Sequence, residues 1–507
     1  MKKRALISLS DKSNVLLFAH KLQELGYEII SSGGTANYLE KNGTKVTLVS
    51  SITNFPEIMD GRVKTLNPYI HGGILANREI PDHLNQAENL NIGLIDIVCV
   101  NLYPFKKTLL NPNASHEDLI ENIDIGGPTL IRSAAKNYKS VYVVTDSEDY
   151  DKTIEVLKSG EDALKFRQYL AKKAFTLTAD YDSAIANYFM KLTKDDSHLS
   201  VSAPLQNHLR YGENPHQSAN FYQEESFIKL LHGKQLSYNN LLDIDAALKT
   251  IIKFKDSPTV AIFKHTNPCG IASGDSLSDA YQKAFLTDTL SPFGGIVIVN
   301  KTLDLECAKS INKVFTEIII APQYEDGVLE FLQKKKDRRL LTYDQQEIIK
   351  LKDKKSIISC MDGFLAQDND IDQDNQTQWQ VVTNRKPTEQ EWQALKFGWN
   401  SVSSLKSNAV AFTTHDRTIG LGIGQTSRID STEIAISKAR KFSLPLQNSI
   451  CASDGFFPFR DSIDHLVQYG VKAIIQPGGS KGDPEVIQAC NEHDIAMVMT
   501  YTRHFRH

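Results

Sequence analysis

The stretch "RALISLSDKSNVLLFAHKLQELGYEIISSGGTA", residues 4–36, decides the fold. Two apolar runs, "RALISLS" (4–10) and "YEIISS" (27–32), flank "SNVLLFAHKLQELG" (13–26), whose apolar residues recur at helical spacing and whose Gly26 supplies the stop. Strand, helix, strand is the start of an alternating series. "KVTLVS" (45–50), "IDIVCVNLYPF" (95–105) and "SVYVVTD" (140–146) predict further strands, so the first 145 residues read as an open, mostly parallel α/β sheet.

Working outward, the pattern turns helical between 148 and 193, and "TKDDSHLSVSAP" (193–204) reads as a linker, with the main boundary near residue 199. Beyond it a degenerate repeat emerges. "TVAIFKHTNPCGIASGDSLSDAYQKAF" (259–285) runs strand, polar loop, helix, and "NAVAFTTHDRTIGLGIGQTSRIDSTEIAISKARKF" (408–442) repeats that order. The segments "SPFGGIVIVN" (291–300) and "SDGFFPFRDSID" (453–464) then follow as counterparts. Two related α/β subdomains are expected, with the polar stretch "AQDNDIDQDNQTQWQ" (366–380) as a surface loop or hairpin near their junction.

At 507 residues the chain has room for about three domains of roughly 150 residues each. Its 41% hydrophobic and 23% charged residues describe an ordinary globular protein. A net charge of −4 offers no general attraction to nucleic acid or anionic lipid, so any anion site must be built locally. The basic run "KKKDRR" (334–339) reads as a solvated helix end. Six scattered cysteines without a CxxC pair suit a reducing compartment, and no apolar run reaches signal or membrane-span length. A cytoplasmic protein that binds neither nucleic acid nor membrane is expected.

Several loops could carry chemistry. In "VAIFKHTNPCG" (260–270) a buried-looking strand ends in Lys264 and His265, with Asn267, Pro268 and Gly270 expected to stop it. One such base alone reads as solvent-facing; for the adjacent pair a catalytic and a solvated reading balance. In the N-terminal region Ser10 to Lys12, "SSGGTA" (31–36) and "GRVKTLNP" (61–68) combine glycines, hydroxyls and the cations Lys12, Arg62 and Lys64, which describes a cradle for a phosphate monoester. None matches the P-loop or dinucleotide fingerprint. In "DIGGPTLIRSAAKN" (124–137) Gly126 and Gly127 lead into Pro128 at a helix start whose amides could hold an oxyanion, and by spacing alone Lys136 reads as a solvated lysine. "HTNPCGIAS" (265–273) fails the zinc deaminase pattern, having Asn267 in place of the Glu and Ala272 in place of the second Cys, so no metal site is expected. "GLGIGQTSR" (420–428) and "QPGGS" (476–480) read as glycine-rich turns that could approach a ligand.

In order along the chain, "SDK", "SGGT", "RVKTL", "NLYPF", "DIGG", "AAKN", "LRYGENPHQ", "FKH", "FGG", "GQTSR", "FFPFRD" and "RHFRH" resemble the bifunctional purine biosynthesis family. Its members join 5-aminoimidazole-4-carboxamide ribonucleotide (AICAR) formyltransferase to inosine monophosphate (IMP) cyclohydrolase. The resemblance implies a methylglyoxal-synthase-like cyclohydrolase domain over 1–145, a helical connection over 146–198, and two cytidine-deaminase-like transformylase subdomains without zinc, over 199–385 and 386–507. It implies 10-formyltetrahydrofolate as cosubstrate, AICAR, formyl-AICAR and IMP as ligands, no catalytic metal, and a homodimer with transformylase sites at the interface.

The same resemblance distributes roles. His265 would act as general base through the carboxamide and Lys264 would steady the oxyanion or leaving nitrogen. Arg210, Tyr211, Gly294, Glu317, Asn408, Arg428, Phe456, Asp461 and Arg503 would complete that site, the arginines suiting a phosphate. In the cyclohydrolase, Lys136 would transfer the proton, reversing the reading from spacing, with Tyr103 and Asp124 nearby and the Gly126 and Gly127 amides facing the oxygen. Ser10, Lys12, Ser32, Gly33, Gly34, Thr35, Arg62, Lys64, Thr65, Asn101 and Ile125 would hold the nucleotide. This chain has "KTLNP" where many members have "KTLHP", and Asn67 cannot titrate as histidine does. An N-terminal nucleotide-sensing module without turnover is the alternative reading.

Overall fold

The computed structural model describes residues 2–224, 226–371 and 376–507. The chain divides into two compact units, one ending at Ala203 and the other beginning at Pro204.

In the first unit, β1 (Arg4–Ser8), β2 (Glu28–Ser31), β3 (Val46–Leu48), β4 (Ile97–Val100) and β5 (Tyr142–Val144) form a parallel sheet in the order β3-β2-β1-β4-β5. Burial on both faces explains the unbroken apolar runs: every residue of β4 and β5 is buried. The expected strands are trimmed at their ends. Val49 and Ser50 of "KVTLVS" open a short helix, Val49–Thr53, and "NLYPF" forms the loop after β4 and enters the helix Phe105–Leu109. The helix Ala163–Thr193 packs on β5, and its Phe166, Leu170 and Ala174 join the core of this sheet. The segment expected as a connection is thus built into the first unit.

The second unit opens with a hairpin of β6 (Leu205–Leu209) and β7 (Ala219–Tyr222). A six-stranded sheet follows: β8 (Ile228–His232), β9 (Thr259–Lys264), β10 (Asn267–Ser273), β11 (Gly295–Val299), β12 (Thr316–Ala321) and β13 (Arg339–Tyr343), in the order β10-β9-β11-β12-β13-β8. After a hairpin of β14 (Lys355–Cys360) and β15 (Gly363–Asp368) comes a second sheet. It comprises β16 (Gln380–Val381), β17 (Val410–Thr413), β18 (Thr418–Gly422), β19 (Ile450–Ser453), β20 (Ala473–Gln476) and β21 (Ala496–Met499), in the order β16-β21-β20-β19-β17-β18. Matched strand for strand, the two sheets share one order and one set of parallel and antiparallel pairings, so the repeat is a duplicated topology.

Three expectations are corrected. The "polar loop" after β9 is a strand, β10, because a two-residue turn at His265 and Thr266 sends the chain straight back. Its proline is tolerated since β10 is an outer strand with a register shift between Pro268 and Gly270. Gly420 and Gly422 of "GLGIG" lie in β18 and serve packing: a Cβ on Gly420 would lie 2.2 Å from the Ala435 carbonyl oxygen, and one on Gly422 1.7 Å from that of Ser431. The counterpart of "GGIVIV" is β19, "ICAS", so "SDGFFPFRDSID" is the loop and helix that follow it. Of the 366–380 stretch, residues 366–368 end β15 and Gln376–Gln378 form one 3-10 turn, while 372–375 lie outside the described residues.

The outer strands β10 and β18 meet antiparallel, with Ala272 opposite Arg417 and Ile271 exchanging hydrogen bonds with the Thr418 hydroxyl at 3.0 and 3.2 Å. This junction carries the end of β9 in one copy to the start of β17 in the other.

Candidate active sites

In the first unit the loops gather at the carboxyl ends of β1, β2 and β4, where the strand order reverses, the usual ligand position in an open parallel sheet. Ser10 and Lys12 follow β1. Ser32, Gly33, Gly34 and Thr35 follow β2 and begin the helix Gly33–Lys41, and Asn101 and Tyr103 follow β4. Two of these side chains tie the loops together. Asn101 accepts from the Ser10 amide at 2.7 Å and donates to the Asp11 carbonyl at 2.8 Å, while Thr35 bonds both the amide and the carbonyl of Leu9. Ser32 differs: only 3% exposed, its hydroxyl has no partner, and as the residue before the helix it makes no capping bond. An unsatisfied buried hydroxyl beside helix amides is the local mark of an anion site.

Lys64 supplies the cation, its Nζ lying 3.5 Å from where a Cβ on Gly33 would stand. Thr65 is buried against Gly126, whose Cβ would stand 3.2 Å from its hydroxyl. Tyr103 and Ile125 are exposed. Burial pushes the Asp124 carboxyl above its ordinary value, against the amides of Gly127 and Tyr103 and the charge of Lys64, which favour the anion. A cavity of about 310 Å³ opens beside them, lined in part by Asn101, Tyr103 and Tyr181.

Three expected residues stand differently. Arg62 is exposed and paired with Glu121. The Gly127 amide, expected to face a substrate oxygen, donates to Asp124 at 2.8 Å. Lys136 ends the 11-residue helix that Gly126 begins, about 15 Å away at a rise of ~1.5 Å per residue, and is exposed. The crossover helix runs back from the carboxyl end of β4 to the amino end of β5, and so carries Lys136 away from the strand ends that bear the cradle loops. Asn67 caps the helix Pro68–Leu75 by accepting from the Tyr69 amide at 2.9 Å, so this departure from "KTLHP" serves local structure.

In the second unit His265 and Thr266 form the β9–β10 turn, with φ of 53° and 62°. Both central residues at positive φ define a type I′ turn, costly for side chains other than glycine. Asp243, on the helix Tyr238–Ile251, accepts from the Thr266 amide at 2.5 Å. Burial raises the Asp243 carboxyl, while the Thr266 amide and the neighbouring His265 favour its charge. Sequence reading missed Asp243, since nothing in a helical "LLDIDAAL" distinguishes a carboxylate facing a turn about twenty residues on.

Lys264 donates to the Phe293 carbonyl at 2.9 Å, and the Gly294 amide, at φ 73°, to that of Phe315 at 2.7 Å. Phe293 and Phe315, 63% and 48% exposed with ring centroids 5.2 Å apart, form an uncovered aromatic surface beside Lys264 that was also missed. Glu317 accepts from Asn240 at 3.2 Å and pairs with Arg339 at 2.8 Å. Arg210 is exposed at the end of β6 against the Tyr211 ring.

Across the junction, Asn267 donates to the His265 carbonyl at 3.2 Å and accepts from the Lys406 amide at 3.1 Å. It thereby joins the Lys264–His265 turn to the segment leading to Asn408. Arg428, 8% exposed, donates to Asp454, Ser453, Asn408 and the Phe456 carbonyl. The Phe456 ring is exposed, Arg503 is exposed over Phe505, and Asp461 begins the helix Asp461–Val467. Among the described residues no group of three or more His, Cys, Asp or Glu could hold a metal ion, and no helix is long and apolar enough to cross a membrane.

A parallel sheet whose loops form an anion cradle, followed by a duplicated α/β unit bearing paired nitrogen bases, describes an enzyme built of two units. Residues 14–129 match the family described as MGS-like domain, and 134–438 that described as AICARFT/IMPCHase bienzyme. The bifunctional purine biosynthesis protein PurH of Chlorobium phaeobacteroides (strain BS1) is 48% identical over 525 residues, covering 100% of this chain and 99% of the relative. That of Lactobacillus acidophilus is 48% identical over 515 residues, covering 100% of both. A solved chain described as the crystal structure of ForH is 34% identical, covers 37% of this chain and 98% of that one, and gives a TM-score of 0.34. The chain belongs to the bifunctional purine biosynthesis family, whose members are AICAR formyltransferase and IMP cyclohydrolase in one polypeptide.

Proposed function

We propose that the second unit transfers the formyl group of 10-formyltetrahydrofolate to the amine of AICAR, and that the first closes the formylated product to IMP. The observation that carries the transferase reading is the Lys264–His265 turn, held by Asp243 and joined through Asn267 to the segment bearing Asn408. In this step the amine nitrogen attacks the formyl carbon, the bond from that carbon to the folate N10 breaks, and the amine's proton leaves as N10 gains one. His265 accepts the amine's proton, relayed by the neighbouring carboxamide, and Lys264 steadies the carbonyl oxygen. Arg210 and Arg503, both exposed, suit the nucleotide phosphate, and Phe456 covers its flat ring.

In the cyclohydrolase the carboxamide nitrogen attacks the formyl carbon of the same molecule and water leaves, so holding the nucleotide folded supplies much of the rate. Ser32, Lys12 and the helix amides hold the phosphate, and Lys64 beside Asp124 moves the proton. Lys136, if it takes part as the resemblance implies, serves the cradle of a second copy. A cytoplasmic homodimer fits this reading. The test is to supply AICAR and 10-formyltetrahydrofolate and quantify tetrahydrofolate and IMP separately. Both should appear in step; accumulation of the formylated nucleotide would overturn the cyclohydrolase assignment, and absence of tetrahydrofolate the transferase assignment.

A further inference from the structure

One guanidinium links two of the proposed nucleotide contacts. Arg339 opens β13, and its side chain is 12% exposed. Its Nη1 donates to Glu317 Oε1 at 2.8 Å. Its Nε donates to the Lys234 and Gln235 carbonyls at 3.1 and 3.2 Å, and its Nη2 to that of Gln235 at 3.1 Å. Asn240, 6% exposed, donates to the same Glu317 oxygen at 3.2 Å. Glu317 Oε2 therefore has no protein partner among the described residues, on a side chain 36% exposed, and is open to a ligand. The Glu317 charge also raises the Asp243 carboxyl, which places it near the Lys264–His265 turn that Asp243 holds. From the other side of the guanidinium, Gln235 continues to the β6–β7 hairpin, donating to the His208 carbonyl at 3.3 Å, and Asn239 donates to the Glu213 carbonyl at 3.3 Å. Arg210 and Tyr211 lie between those two ties. The hairpin depends on them because no residue of β6 or β7 is buried, so apolar packing does little to place it. Gly233, at φ 100°, lets its loop lie against β13: a Cβ there would stand 2.2 Å from the Arg338 carbonyl oxygen.

We propose that Arg339 is a positioning residue of the formyl transferase, a clamp that sets Glu317 and the hairpin bearing Arg210 at the separation one nucleotide requires. The inference rests on the reading that Glu317 and Arg210 contact AICAR. A planar guanidinium suits the task because its fork of five donors fixes a carboxylate and two carbonyls at once, whereas an ammonium is a point charge without that geometry. Stability is not what the pair supplies. An ion pair with one partner a third exposed contributes about 0–1 kcal/mol, so its loss should appear in substrate binding before it appears in melting.

The test uses the whole enzyme, whose first unit is an internal control because Arg339, Gln235 and Glu317 lie outside it. Arg339→Met should raise KM for AICAR about 30-fold and Arg339→Lys about tenfold, with KM for 10-formyltetrahydrofolate and the rate of formyl-AICAR cyclisation at wild-type values. Gln235→Ala, which cuts the tie to His208 and keeps the backbone carbonyls, should raise KM for AICAR about threefold. Adding Glu317→Ala to Arg339→Met should cost less than Glu317→Ala costs alone, because the clamp acts through that carboxylate. Should Arg339→Met fail to fold, Arg339→Lys and Gln235→Ala decide. Wild-type KM for AICAR in the folded Arg339 variants, an equal rise in KM for both substrates, or strictly additive effects of Arg339→Met and Glu317→Ala overturns the proposal. Glu317→Ala and Arg210→Ala separate the two levels. If both leave KM for AICAR unchanged, the contact reading fails and the clamp with it; if both raise it while the Arg339 variants behave as wild type, the clamp alone is wrong.

Discussion

Asp243→Ala should disable formyl transfer without touching the base itself. The turn carrying His265 puts two side-chain residues at positive φ, costing about 1–2 kcal/mol each. Against this, the Asp243 carboxylate contributes a charge-assisted bond to the Thr266 amide, worth about 1.5–3 kcal/mol. Removing it leaves the strain and takes away what offsets it, so the competent turn becomes a minor conformer. At ~1.4 kcal/mol per tenfold, kcat/KM should fall about 10- to 150-fold. Asp243→Asn keeps an acceptor oxygen and should lose less. Thr266→Gly in the Asp243→Ala background removes one penalty and should recover about fivefold. The assay is the initial rate of tetrahydrofolate formation, with cyclisation of formyl-AICAR as control. Asp243→Ala within twofold of wild type, or a deeper loss on adding Thr266→Gly, would refute the reasoning.

Three further outcomes are expected. Lys64→Ala and Lys136→Ala should each abolish cyclisation, yet co-refolded in equal amounts they should recover about a quarter of wild-type activity, since half the dimers are mixed and each restores one site; no recovery assigns Lys136 no role in a second copy's cradle. Gly422→Ala should yield insoluble protein or cost more than about 2 kcal/mol of stability, because the added methyl meets the Ser431 carbonyl at 1.7 Å; a soluble variant melting as wild type would contradict this packing. Lys173→Met strands Asp149 and Asp146, which it meets at 2.6 and 2.9 Å, and should destabilise the first unit by about 2–3 kcal/mol at pH 7. Burial raises the Asp146 carboxyl, but the Glu148 amide and Lys173 hold it below its ordinary 3.8. That stabilisation is therefore complete above about pH 4 and lost below it, and the melting-temperature gap should narrow on acidification; a gap independent of pH would exclude Asp146.

How legible the site was depends on which residues carry it. The cradle loops could be read because each follows an apolar strand and combines glycine, hydroxyl and cation within a few residues. Spacing already separated Lys64, placed in the cradle, from Lys136, read as solvated, and the helix Gly126–Lys136 ends with Lys136 exposed. The partners of Arg428 were not legible, since Asp454 and Asn408 lie 26 and 20 residues away on either side.

By itself the sequence determined the parallel sheet, the duplication and the paired bases at the end of β9, because apolar periodicity and turn chemistry are local properties. Tertiary structure alone decided that "NPCGIAS" is a strand, since a hairpin partner and a glycine beneath a helix carbonyl override its polar look. It also decided that β10 meets β18 antiparallel, which brings equivalent edges of the two sheets to one place. Asn267 owes its place to that meeting and Asp243 to a long-range hydrogen bond, and no local pattern in a chain records where a distant segment will pack.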